Sequence, residues 1–204
     1  RPAVARSERE DGGDAAEFDH SHASFGQVLE QFVKRGLVDY AGLKANPMTL
    51  QGYLDRLGEV STEDFGKWTE NQQLAFLINL YNAATLRSVI ERYPVRSIKA
   101  FGGTRAGASN QPVLRIFGKK VSLRDLEEKM IGNDFNEPAC HFALACAARS
   151  CPELRDEAYV ADKLRDQFID QGRRFLSAPD KNSVDLKKRI VYLSPIFKWY
   201  REDF

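Results

Sequence analysis

The sequence is poor in the residues that announce a chemistry on their own. Its 204 residues include three cysteines, three histidines, two methionines and two tryptophans. Three cysteines are too few to staple a chain of this length, which excludes a disulfide scaffold. No sign of charge dominates, since 30 Lys and Arg stand against 29 Asp and Glu. A nucleic-acid partner, which calls for a strongly basic domain, is therefore not expected. No stretch approaches the roughly 18 apolar residues of a membrane span. The longest apolar stretch, Leu74–Tyr81, is broken by Asn79. His-Glu-x-x-His and Gly-x-Ser-x-Gly are absent, as is an internal repeat. Phe101-Gly-Gly-Thr-Arg does not fit a phosphate loop. Neither a metal nor a cofactor is expected.

What the chain has is enough apolar mass for a core. Hydrophobic residues make up 43%, aromatics 11%, and 13 residues are Phe. This excludes a fully disordered or collagen-like chain. Residues 1–17 are polar, charged and free of apolar period, and read as a flexible lead-in to a single domain over 18–204. The chain opens on Arg1, which reads as processing or trimming, and any signal peptide before it is not here to read.

The apolar spacing predicts helices over 24–34, with Ser24 as N-cap, and over 47–57 and 69–92. The third is apolar nearly all round, the mark of a buried helix. Further helices are expected from Ser122 to about Ile131, over 161–176 with Ile169 and Leu176 inward, and after Ser194-Pro195. Hairpins are expected around Gly118 and around Lys187-Lys188-Arg189, and His141–Ala147 reads as a buried strand. Together these give an α+β fold: a mostly helical body around a buried central helix, with a small antiparallel sheet.

The densest chemistry lies in Cys140-His141-Phe-Ala-Leu-Ala-Cys146-Ala-Ala-Arg149-Ser-Cys151. Three readings compete. Buried cysteines and a core histidine pack like any apolar group. Alternatively, a Cys146 thiolate could pair with His141, near Arg149, with an amide such as Asn79 orienting the ring. On one continuous strand 141 and 146 would point to opposite faces, so this pair needs a break before Cys146. Third, the group could hold zinc, although it lacks the Cys-x2-4-Cys knuckle, or Cys146 and Cys151 could form a disulfide, implying an oxidising compartment.

Asn79 and Asn82, three apart, share one face of the apolar helix, with Tyr81 between them. They either pin backbone or serve a site as orienting or oxyanion-binding amides. Gln72 and Gln73 are further amide donors. Nine basic residues and one acid between Arg87 and Arg124 form either a solvated face or a dock for an acidic partner. His20 and His22 read as surface residues.

Several stretches together resemble the uncharacterised family DUF547. They are Val38-Asp39-Tyr40 with Leu43-Lys44, Leu74–Ala83, Tyr93-Pro94-Val95 with Ser97-Ile98, His141–Cys146 with Cys151-Pro152, and Leu193–Phe204. The resemblance implies an extracytoplasmic setting, since bacterial members are often exported. It implies an interaction role in eukaryotic relatives joined to coiled coils. Members usually carry Trp at the place of Leu77 and a polar residue at that of Ala145. Some keep the cysteine matching Cys146 without that matching Cys151, which favours Cys146 as nucleophile. The element order is similar to that of papain-like and transglutaminase-like thiol enzymes, although their central helix opens on a cysteine and none occurs at 69–73.

The leading expectation is a thiol-dependent acyl-transfer or amide-hydrolysing enzyme acting on a peptide-like or thiol-containing small molecule. Cys146, His141 and Asn79 would be catalytic, and Asn82, Tyr81, Cys151 and Arg149 would bind substrate. The alternative is a non-catalytic module docking an acidic ligand or protein partner through its basic face.

Overall fold

The computed structural model describes residues 17–94, 111–127, 134–135, 137–147 and 151–204. The lead-in up to residue 16, the Phe101-Gly-Gly-Thr-Arg stretch, the expected helix end at Ile131-Gly132 and Arg149 lie outside them.

Helix α1 (Ala23–Phe32) buries Phe25, Val28, Leu29 and Phe32 along one stripe. It starts before Ser24. The Asp19 carboxylate accepts from the Ala23 and Ser21 amides, so the cap comes from upstream and Ser24 is free to sit inside the helix. Strands β1 (Val33–Lys34) and β2 (Leu37–Val38) turn back through Gly36, whose φ of 75° suits a residue without Cβ. Helices α2 (Tyr40–Ala45), α3 (Met48–Glu59) and α4 (Thr62–Lys67) follow, with α2 and α4 capped by Asp39 and Ser61.

Helix α5 (Glu70–Arg92) is the axis of the fold. A capping box closes its start: Thr69 accepts from the Gln72 amide, and the Gln72 side chain accepts from the Thr69 amide. Gln73 donates to the Phe65 carbonyl, 2.8 Å away. Both glutamines therefore hold the helix entrance. Buried positions run round the whole circumference from Leu74 to Ile90 because α2 and α3 pack on one side and the 151–177 segment on the other.

Strands β3 (Pro112–Ile116) and β4 (Lys119–Ser122) form the expected hairpin, and Ser122 caps the short α6 (Leu123–Asp125). A 3-10 turn (Ala161–Lys163) leads into α8 (Leu164–Ser177). Ile169 and Leu176 turn outward on α8, and the inward rows include Gln167 and Gln171. Strands β5 (Ser183–Asp185) and β6 (Ile190–Tyr192) form a third hairpin, and α9 (Ile196–Trp199) is a single turn. The three pairs of strands do not join, so the small sheet is three separate antiparallel hairpins on a mostly helical α+β domain.

The expected strand at 141–147 is not one. Cys140–Ala143 is one helical turn, α7, followed by extended chain. Asn82 from α5 donates to the Ala143 carbonyl at 3.0 Å and accepts from the Ala145 amide at 2.9 Å. A side-chain amide thus takes the place a strand partner would fill.

Candidate functional site

The polar residues of α5 explain how the second half of the chain is held. Asn79 donates to the Tyr159 carbonyl at 2.7 Å and accepts from the Tyr159 amide at 3.0 Å. From the opposite side, Gln167 accepts from the Val160 amide and donates to the Ala158 carbonyl, and Gln171 donates to the Glu153 carbonyl. The 153–160 segment is irregular yet partly buried. Amide side chains from two helices replace the ladder it lacks. Asn79 and Asn82 therefore pin backbone, and neither bonds to His141.

His141 belongs to a separate cluster. Its ring stacks on Tyr200 with centroids 4.1 Å apart, and Nε2 lies 2.7 Å from the Asp203 carboxylate. Tyr200 in turn donates to Glu127. Burial lowers the His141 pKa and the Asp203 carboxylate opposes that shift. Nδ1 is buried without a partner. Tyr81, below this cluster, is fully buried, and desolvation with Glu127 and Tyr200 nearby pushes its pKa well above the usual phenol value. Cys140, the free cysteine, is pushed up to about 12 by burial and by Glu137, Asp203 and Glu127. It is a core thiol rather than a nucleophile.

Cys146 and Cys151 are joined in a disulfide, with Cα atoms 5.9 Å apart. In this state Cys146 carries no thiol. The expected Cys146–His141–Asn79 set is thus divided among three different partners. Asp203 takes the imidazole, Tyr159 takes the amide, and Cys151 takes the sulfur. The sequence separated these residues only by number, and the pairings arise from contacts 62 to 80 residues apart for the histidine and the amide.

Two of the expected site residues do line a common space. A groove of about 380 Å³ runs between the β1–β2 hairpin, α5 and the disulfide loop. Asn82 and Cys151 line it together with Thr85 and Lys181, which the sequence reading did not single out. Its apolar walls are Leu37, Val38, Leu86, Pro152 and Leu154. Thr85 Oγ1 is buried with no hydrogen-bond partner, in a residue only 3% exposed. The Lys181 side chain is 6% exposed, and its ammonium lies 3.7 Å from Glu153 and 3.6 Å from Asp180. At these distances it is charge-paired but not hydrogen-bonded. Ala147, on the same wall, has φ 56°, a left-handed conformation that costs an alanine energy.

A larger cavity of about 620 Å³ lies beside α3, lined by Phe18, Asp19, Tyr53, Arg56, Asp64 and Trp68 among others. Its principal polar groups are already bonded: Arg56 to Ser24, Asp19 to Ser21 and Ala23, and Asp64 to Ser61 and Lys67. Close by, His22 corrects its expected surface place. It is 1% exposed, its Nδ1 lies 2.7 Å from the Tyr53 hydroxyl, and burial holds its pKa at about 4. Phe18 packs on both His22 and His20, which is how a polar-looking start becomes part of the core.

Of the basic segment, Arg87 donates to the Val113 carbonyl and pairs with Glu91, and Arg115 donates to the Gly118 carbonyl. These cations are used within the fold. Among the described residues no group of three or more His, Cys, Asp or Glu could hold a metal ion. No described helix is long and apolar enough to cross a membrane.

No curated protein and no solved structure matches the chain. A family model does, that of the protein of unknown function DUF547, over residues 65–176. The match runs from α4 to α8 and takes in α5, the His141 turn, the disulfide and most of the groove. The stretches at 38–44 and 193–204 that also carried the resemblance lie outside it. With more than half of its length matched, the chain belongs to the DUF547 family.

Proposed function

We propose that the protein is a ligand-binding module of an oxidising, extracytoplasmic compartment, and that its ligand occupies the groove walled by the Cys146–Cys151 disulfide. The carrying observation is the groove itself, whose lining joins apolar walls to a few polar groups, with a buried and unpaired hydroxyl on one of its lining residues, Thr85. The groove volume lies near the lower bound for small-molecule sites. The disulfide supports the compartment, because such bonds persist where thiols are not kept reduced.

The test is a screen of the oxidised chain with small fragments, read by backbone amide NMR. Binding that shifts Leu37, Val38, Thr85 and Leu154 is the expected result. A fragment set that shifts only residues around Tyr53 and Trp68, or none, would refute the assignment.

The catalytic reading retains one specific observation, the His141–Asp203 pair with Nδ1 unpartnered. This is the arrangement of a base held by a carboxylate. It requires a thiol delivered by reduction of the disulfide. Its test is acylation of Cys146 by an activated ester after reduction, lost in His141→Asn. Equal labelling of the wild type and the variant would end that reading.

A further inference from the structure

Independently of the groove, we propose that the β5–β6 hairpin is an interfacial membrane contact. Its apolar face lies at the boundary between the headgroups and acyl chains of an anionic bilayer, and the cations of its turn meet the lipid phosphates.

A two-stranded ribbon ordinarily turns its apolar face to the core. This hairpin presents one to solvent. Val184 and Val191 are cross-strand partners and share a face. Leu186 and Leu193, two residues further along the chain from each, continue the period. All four are between 54% and 83% exposed, a contiguous apolar patch of the kind that marks an interaction site. The other face mixes Ser183 and Asp185 with Ile190 and Tyr192. The exposure does not come from a loose end. The buried Asn182 side chain donates to the Phe175 carbonyl of α8 at 2.7 Å and accepts from the Ser194 amide at 3.0 Å, so both ends of the hairpin are tied to the body.

The turn adds charge. It carries Lys187, Lys188 and Arg189, all exposed. Lys188 lies 3.5 Å from Asp185, the one acid of the hairpin. Lys187 and Arg189 have no acidic partner among the described residues. Arg189 has φ 55°, a conformation usually given to Gly or Asn, so a cation stands where a small residue would be less strained.

An apolar face beside unpaired cations is complementary to an anionic lipid surface. Four aliphatic side chains fall far short of the roughly 20–30 residues a side that a stable protein interface takes. They suffice for shallow, reversible burial at a bilayer surface, where apolar insertion and attraction to anionic lipid add. Lys and Arg run their stems along the acyl boundary while their charge stays at the phosphates. Tyr192 supplies an amphipathic ring suited to that depth. The hairpin lies on the bilayer and spans nothing.

The experiment is co-sedimentation of the oxidised full chain with vesicles of phosphatidylcholine, alone or with one-third phosphatidylglycerol. The chain binds the anionic vesicles and leaves the neutral ones. Binding fades as salt rises to about 1 M, where the screening length falls to about 3 Å. Lys187→Gln, Lys188→Gln and Arg189→Gln together lower partitioning about a hundredfold, at about fivefold for each cation. Leu186→Ser with Val191→Ser lowers it about tenfold or more. Both variants change exposed side chains, and unchanged thermal melting shows that they fold. An environment-sensitive dye on Leu186→Cys brightens with anionic vesicles, and one on Met48→Cys, comparably exposed on α3, does not. No binding to anionic vesicles, equal binding by the wild type and the variants, or an unchanged dye on Leu186→Cys overturns the proposal. So does a wild-type dimer in sedimentation equilibrium that Leu186→Ser with Val191→Ser dissolves, because the apolar face then belongs to a second copy.

Discussion

Asn82 and Thr85 lie one turn apart on α5 and are buried alike, yet they are treated in opposite ways. Asn82 uses both ends of its amide, one on the Ala143 carbonyl and one on the Ala145 amide. Thr85 uses nothing. The same contrast continues beyond that pair: Asn79 on one side and Gln167 and Gln171 on the other satisfy the backbone of the irregular 153–160 segment, whereas the Thr85 hydroxyl stays unpaired. Burial alone does not separate folding residues from functional ones. Whether the buried polar atom already has its partner does.

The comparison can be broken at several points. Asn79→Leu should have the largest effect, because it orphans the Tyr159 amide and carbonyl together. A loss of about 4 kcal/mol is expected in urea unfolding, from two buried groups at roughly 1–3 kcal/mol each. A loss below about 1 kcal/mol would show that water replaces the clamp.

Acid comes next. Burial, opposed by Asp19 and aided by His20, holds the His22 pKa at about 4 against 6.5 for a free imidazole. Between these values the unfolded chain takes up a proton that the folded chain refuses. Stability is therefore complete above about pH 6.5 and is lost as pH falls toward 4, by about 3 kcal/mol for this group. His20 and His141, also lowered, act in the same direction. Urea midpoints of wild type and His22→Phe from pH 7.5 to 4.5 check this, and the variant should show the shallower fall.

Reducing the Cys146–Cys151 bond should cost about 2 kcal/mol, the chain-entropy value for so short a loop. Thermal melts with and without reductant measure it. Thr85→Val should change ligand-free stability least, by within about 1 kcal/mol and toward greater stability, since it removes an unpaired hydroxyl. A clear destabilisation would mean that Thr85 serves the fold as Asn82 does.

The helical architecture was legible because it rests on local signals. Thr69, Ser61 and Ser122 act as caps, and α5 showed its burial by being apolar on every side, whereas α2, capped by Asp39, was not among the expected helices. The strand expected at 141–147 failed because an apolar run fits a strand or a pinned extended chain equally well, and Asn82 decides between them from 61 residues away. The site was half legible. Asn82 and Cys151 were found as chemistry-bearing types and do line the groove. Thr85 and Lys181 have ordinary neighbours in sequence, and only the fold gives them a common space. The three expected catalytic residues are not brought together in this structure for a related reason: a cysteine and a histidine close in sequence carry no information on which way α7 turns the ring. His22 was misread because Phe18, Tyr53 and Trp68 converge on it from three different segments.

The central claim is that this cysteine pair walls a binding groove and does not arm a nucleophile. Mass mapping of alkylation at Cys140, Cys146 and Cys151 in the native protein, before and after reduction, tests it most directly. The account predicts no native labelling without reductant, labelling of Cys146 and Cys151 only after reduction, and labelling of Cys140 only on unfolding. Fast native labelling of Cys146 without reductant would contradict it.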